Sequence, residues 1–240
     1  MTAALPMEMA LHRSGAAPAV PRTEVRLLGG FEIIHNAQVL DLKPGTERLV
    51  AFLALLERAV ERRYAAFRLW PDKGENRAMA NLRSALWRLR PLPVTLVEAT
   101  STHVRLRRDV WVDARHGLAD AELSILDDLG LTGELLPDWY DDWLVVERER
   151  LRQQLLHMLE TACECALHAE RYGHAIDVGL RAIALEPLRE SAHRLVIRAH
   201  LGESNIHEAQ RQYRQFADLL RGELGLIPSP GLQALVSDPG

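Results

Sequence analysis

The chain has 240 residues, of which 48% are hydrophobic and only 5% aromatic, so Leu, Ala and Val must do most of the packing. At roughly 100–200 residues per domain, this is one large or two small domains. The net charge of −4 by itself speaks against a nucleic-acid partner, but residues 43–108 carry 14 Lys/Arg against 6 Asp/Glu, whereas residues 109–240 carry 12 against 23. A basic block (+8) beside an acidic one (−11) suggests two modules with different partners.

In chain order, Met1–Leu11 lacks the basic start and long apolar run of a signal peptide, and Ser14–Pro21 is rich in Ala, Pro and Gly. Residues 1–23 are expected to be a flexible tail. Val25–Leu28, Phe31–Ile34 and Gln38–Leu42 read as short strands, with turns at Gly29-Gly30 and near His35-Asn36. Pro44-Gly45-Thr46 reads as a helix start with Thr46 as N-cap, followed by Leu49, Phe52, Leu53 and Leu56 at helical spacing. A second helix is expected over about Glu61–Trp70 and a third over about Asn76–Arg90. Val94–Glu98 and His103–Arg107, joined by Thr100-Ser101-Thr102, read as a hairpin. Small strands, three helices and a hairpin are the order of a winged helix-turn-helix.

After Asp113 the pattern is helical throughout. A short helix is expected over Asp113–Leu126, and Gly133–Pro137 reads as a connector. Helices then follow at about Trp139–Arg171, Gly173–Glu186, Arg189–Leu201, Ile206–Leu220 and Gly231–Val236. Tyr172–Ile176 is echoed by Ser204–Ala209, with Ala175 and Ala209 separated by 34 residues, the tetratricopeptide period. The expected architecture is therefore mainly α. A winged helix-turn-helix (residues 24–110) is followed by an all-α, tetratricopeptide-like domain (residues 111–240).

The third helix carries the most informative face. Met79, Leu82, Leu86 and Leu89 share one side, with Ala78 and Ala85 at its edge. The other side presents Arg77, Ala80, Ser84, Trp87 and Arg88, flanked by Asn81 and Arg83, with no acid from Asn76 to Arg90. Arg can bond guanine bidentately, Asn can bond adenine, and Ser can reach base edges or phosphate. Arg77, Asn81, Arg83, Ser84 and Arg88 are thus candidate base readers. Lys43, Arg48 and Arg105 are candidate phosphate contacts, which position without specifying sequence. Thr102 and His103 are candidates for a wing tip in the minor groove. Trp87 is expected to pack against the wing rather than stack on the sugar-phosphate strand.

The sequence supplies no enzymatic constellation. It has neither a G-x-x-x-x-G-K-[ST] nor a G-x-G-x-x-G loop, and its His residues lack metal-ligand spacing. No cofactor or metal is expected. Asp138, Asp141 and Asp142 are read as helix-start acids rather than a glycosidase pair. Cys163 and Cys165 fit neither a zinc knuckle nor a redox motif, which suits a reducing cytoplasm. No run of 18 or more apolar residues suggests a membrane helix.

Three segments, residues 47–55, 69–72 and 80–89 (Ala-Asn-Leu-Arg-Ser-Ala-Leu-Trp-Arg-Leu), resemble the winged-helix half of the Streptomyces antibiotic regulatory proteins, the SARP family. Residues 133–143, 147–151 and 223–230 resemble that family's bacterial transcriptional activation domain. The likeness runs from about Val25 to Leu235, with a loose match over residues 61–67. It implies an OmpR-like winged helix, a tetratricopeptide-like second half, and binding to direct repeats in promoter DNA. It also implies engagement of RNA polymerase holoenzyme, often at secondary-metabolite gene clusters. A homodimer or a head-to-tail pair on DNA would suit such repeats. In related regulators the turn over residues 71–75 faces polymerase. The alternative from the residues alone is a tetratricopeptide-type interaction or scaffold protein without specific DNA binding.

Overall fold

The computed structural model describes residues 23–117 and 134–237, leaving aside the side chains of residues 116 and 117. The expected N-terminal tail therefore lies almost wholly outside the described residues, as does most of the expected helix over 113–126.

The N-terminal half begins with β1 (Thr23–Arg26), β2 (Glu32–His35) and β3 (Gln38–Val39). These three run antiparallel, with Val25 opposite Ile33 and Ile34 opposite Val39. The β2–β3 turn is made by Asn36 and Ala37, both at positive φ, one residue beyond the turn expected near His35-Asn36. Helix α1 (Pro44–Leu56) follows. Its N-cap is Lys43, because Pro44 supplies the pre-set φ that suits a first helical turn. Thr46 is instead buried within the first turns, and its hydroxyl has no hydrogen-bond partner among the described residues. Leu49 through Leu55 are all buried, so α1 is apolar all round beyond its first turn and forms the axis of this half.

A two-residue strand, β4 (Val60–Glu61), precedes α2 (Arg62–Leu69) and α3 (Glu75–Leu89). The hairpin is β5 (Val97–Ala99) and β6 (His103–Leu106), and β4 pairs with β6 to widen it to three strands, β4-β6-β5. Strand β7 (Trp111–Val112) then returns to lie parallel to β1, giving the order β3-β2-β1-β7. The sequence pattern missed β4 and β7, since two residues carry no readable alternation. After β7, Asp113 opens a single wide π-type turn to Gly117. Its buried carboxylate accepts hydrogen bonds from the backbone N–H groups of Leu27, Leu28 and Ala114, which fixes the end of β1.

The C-terminal half comprises α4 (Asp142–His168), α5 (Tyr172–Leu185), α6 (Glu190–Gly202), α7 (Ile206–Leu224) and α8 (Pro230–Ser237). The echo seen in sequence is a repeated turn. Glu170 and Ser204, which are 34 residues apart, both adopt positive φ just before α5 and α7. The backbone bonds match as well: Arg171 N–H donates to Ala166 O and, one period on, Asn205 N–H donates to His200 O. Ala175 and Ala209 are both fully buried. Gly179 permits the α5–α6 approach, because a Cβ there would sit 2.5 Å from Val196 Cγ2. Such close-stacked helix pairs are the packing logic of tetratricopeptide arrays. No helix among the described residues is long and apolar enough to cross a membrane.

The two halves share one core. Leu135, Leu136, Trp143, Leu144 and Leu151 belong to the same buried cluster as the winged-helix residues. Leu136 N–H donates to Leu27 O, and Gly29 N–H donates to Glu134 O, so the connector is bridged to the chain just past β1. Phe31 stacks on Trp139, and Phe52 meets Trp143 edge-on. The Arg150 and Arg115 guanidiniums donate to the carbonyls of Leu55 and Leu53 near the end of α1, where helix carbonyls lack intrahelical partners.

Candidate nucleic-acid interface

Helix α3 rests on the core through Ala78, Leu82, Ala85 and Leu89, while Met79 and Leu86 are only half-buried. Arg77, Arg83, Ser84, Trp87 and Arg88 are exposed, and Ala80 and Asn81 are half-buried on the same outward side. The acid-free stretch of the sequence thus becomes an acid-free surface. The only acid in the helix is Glu75 in its first turn, and it pairs with Arg63 at 2.9 Å.

Charge pairing is uneven in the other half, where Arg171, Arg198 and Arg221 have no ion pair among the described residues but many arginines do. Arg148, Arg150, Arg152, Arg189, Arg194 and Arg211 all pair with carboxylates. No ion pair or side-chain hydrogen bond to Arg77, Arg83, Arg88 or Arg90 occurs among the described residues. A line of unneutralised guanidiniums is costly unless an anion visits it or solvent screens it. Phosphate is the anion such forks suit, since two N–H groups can bond it at once.

Between α3 and the hairpin lies a groove of about 920 Å³. Arg62, Arg83, Arg88 and Arg90 contribute to its walls, and no carboxylate does. Arg62 also holds the wing in place: its guanidinium donates to Thr100 O at 3.0 Å and its backbone N–H to Thr102 O at 2.8 Å. At the hairpin tip the Thr100 hydroxyl accepts from the backbone N–H of His103, which closes the turn and leaves Thr102 and His103 exposed.

The sequence-derived candidates separate by position. Arg83, Ser84 and Arg88 line the groove, with Arg77 and Asn81 on the adjoining face of α3. Thr102 and His103 sit at the wing tip as the hairpin reading requires, hydrogen-bonded to each other at 2.9 Å. Arg105 lies on the wing but is engaged, its Nε donating to Glu98 at 2.6 Å across the β5–β6 register. Lys43 is exposed at the α1 N-cap and is not a groove residue. Arg48 is turned the other way: it forms an ion pair with Asp141, joining α1 to the start of α4. Trp87 lines the groove beside the wing but is not packed under it, the residue being 67% exposed. Arg62 and Arg90 are groove residues that the sequence reading passed over. Arg90 stands just past the end of α3 and Arg62 opens α2, so neither was among the outward residues of the α3 wheel.

Residues 129–238 match the family described as the bacterial transcriptional activator domain. No curated protein matches the chain. Among solved structures, the fold is similar to that of Mycobacterium tuberculosis EmbR, a structure in complex with a low-affinity phosphopeptide. The TM-score is 0.72 at 20% identity, covering 91% of this chain and 65% of that one. The chain therefore spans a little under two thirds of the EmbR chain. Residues 129–238 are thus similar to the bacterial transcriptional activator domain, and the chain joins that region to a winged helix in a fold similar to that of EmbR.

Proposed function

We propose that this protein is a transcriptional regulator that binds promoter DNA in a sequence-specific manner through α3 and activates transcription by engaging RNA polymerase. The observation that carries the reading is the unpaired, acid-free arginine face of α3 beside a groove walled by Arg62, Arg83, Arg88 and Arg90. In this reading α3 enters the major groove, where Arg77, Asn81, Arg83, Ser84 and Arg88 meet base edges and flanking phosphates. The wing tip at Thr102 and His103 reaches the neighbouring minor groove, and Lys43 lies toward the backbone. The resemblance to the SARP family supports direct repeats as the target and a head-to-tail pair as the bound form.

For activation, residues 71–74 between α2 and α3 stand exposed, as does Glu75 at the start of α3. Beside them is a cleft of about 340 Å³, lined by Phe67, Trp70, Lys73 and Tyr140 among others, where the two halves meet. A polymerase subunit docked on that turn would touch both halves at once.

Fluorescence anisotropy of the full chain with duplexes from promoters flanking its gene tests the reading. Binding is expected at low salt and should weaken steeply as salt rises. The log–log slope is about −0.9 per phosphate neutralised. Absence of binding at low salt would instead favour a scaffold role for the helical half.

A further inference from the structure

We infer that Trp87 is a specificity-determining residue that reads thymine on the floor of the major groove. The inference rests on the DNA-binding reading above and deepens it. Four residues of α3, Ala78, Leu82, Ala85 and Leu89, form its buried line. At about 100° per residue, the direction opposite that line passes through Ala80 and Trp87. Ala80 is too small to project, so Trp87 is the large side chain on that crest, and it also lines the groove beside the wing. Its ring is also the most exposed large apolar side chain in residues 23–117. It has no ring contact or side-chain hydrogen bond among the described residues. A ring left in water at the crest of a helix gains apolar burial only when something covers it.

The chemistry of the groove floor narrows what covers it. A base pair presents polar donors and acceptors there, and one apolar group, the thymine C5 methyl, next to the O4 acceptor. Indole carries the complementary pair, an apolar ring and a single Nε1–H donor. Cytosine offers a donor at the corresponding place and no methyl, so it meets neither requirement. Arg83 and Arg90, which line the groove with Trp87, supply the phosphate neutralisation that lets the crest approach the bases.

The test starts by enriching a duplex from a random pool with the full chain. Each thymine of that duplex is then replaced by deoxyuridine, one position at a time, which removes only the methyl group. Wild-type protein is expected to bind about fourfold more weakly at one or two positions, the worth of one methyl buried. Trp87→Ala should bind the thymine duplex at least as weakly and no longer distinguish it from the deoxyuridine form. Trp87→Phe, which keeps an apolar ring, should retain the methyl preference. A uniform loss in Trp87→Ala with the deoxyuridine penalty unchanged would place the ring on sugar and phosphate and overturn the inference. No deoxyuridine penalty in wild type, or a Trp87→Ala chain that fails to fold, overturns it as well. If no duplex enriches at all, the DNA-binding reading itself fails, an outcome distinct from these.

Discussion

Phe52, in the middle of α1, and Trp143, in the first turn of α4, meet edge-to-face with ring centroids 5.3 Å apart and planes at 83°. Ring pairs favour this geometry because the positive edge of one ring faces the negative face of the other. Trp143 is 3% exposed and Phe52 2%. The contact therefore lies inside a core that belongs to both the winged helix and the helical repeat, and the two halves should unfold as one unit.

Trp143→Ala is expected to cost about 3–5 kcal/mol, the range for truncating a buried aromatic. It should also split a single cooperative thermal transition into two, as the winged helix loses its hold on α4. Differential scanning calorimetry reads both effects. A variant that still melts in one transition would show that the halves are coupled elsewhere.

Arg48 provides a contrast with the arginines of α3. It is 30% exposed and pairs with Asp141, 14% exposed, so its removal leaves a half-buried carboxylate without its partner. Arg48→Ala should lower stability by about 1–3 kcal/mol, as for loss of a charged hydrogen-bond partner. It should leave the salt dependence of DNA binding unchanged. A shallower salt slope in this variant would return Arg48 to the phosphate contacts.

His193 makes the α6–α7 contact pH-sensitive. The ring is buried and stacks on Phe216 with centroids 4.2 Å apart. Nε2–H donates to Pro187 O, and Nδ1 accepts from the Gln212 amide. Burial holds its pKa below the usual 6.5, opposed by the Pro187 carbonyl and by Glu190. Because the unfolded chain takes up the proton more readily, this contribution is complete above about pH 6.5 and is lost as pH falls below it. Urea midpoints measured from pH 8 to pH 5 should fall more for the wild type than for His193→Gln. Parallel curves would contradict this assignment.

The sequence made the outward face of α3 legible because fifteen residues at helical period average out single errors. The 34-residue echo was legible for a similar reason, since Ala175 and Ala209 carry the same packing demand one repeat apart. What lay beyond reach was pairing across the chain. Nothing near Arg48 announces Asp141, 93 residues on, nor does Val112 announce its place beside Val25. Trp87 was misread because apolar character suggested burial, whereas its angular position already pointed away from Leu82 and Leu89. Thr46 was misread because a good capping residue two positions after a proline competes with the backbone that the proline fixes.

Whether α3 reads DNA sequence is tested most directly by Arg83→Ala. Anisotropy would be measured with a promoter duplex from the flanking region and with a scrambled duplex of the same composition. The wild type should prefer the promoter. Arg83→Ala should lose about 1–3 kcal/mol on the promoter duplex, while changing far less on the scrambled one. Equal affinity of the wild type for the two duplexes, unaltered by Arg83→Ala, would contradict sequence reading by α3.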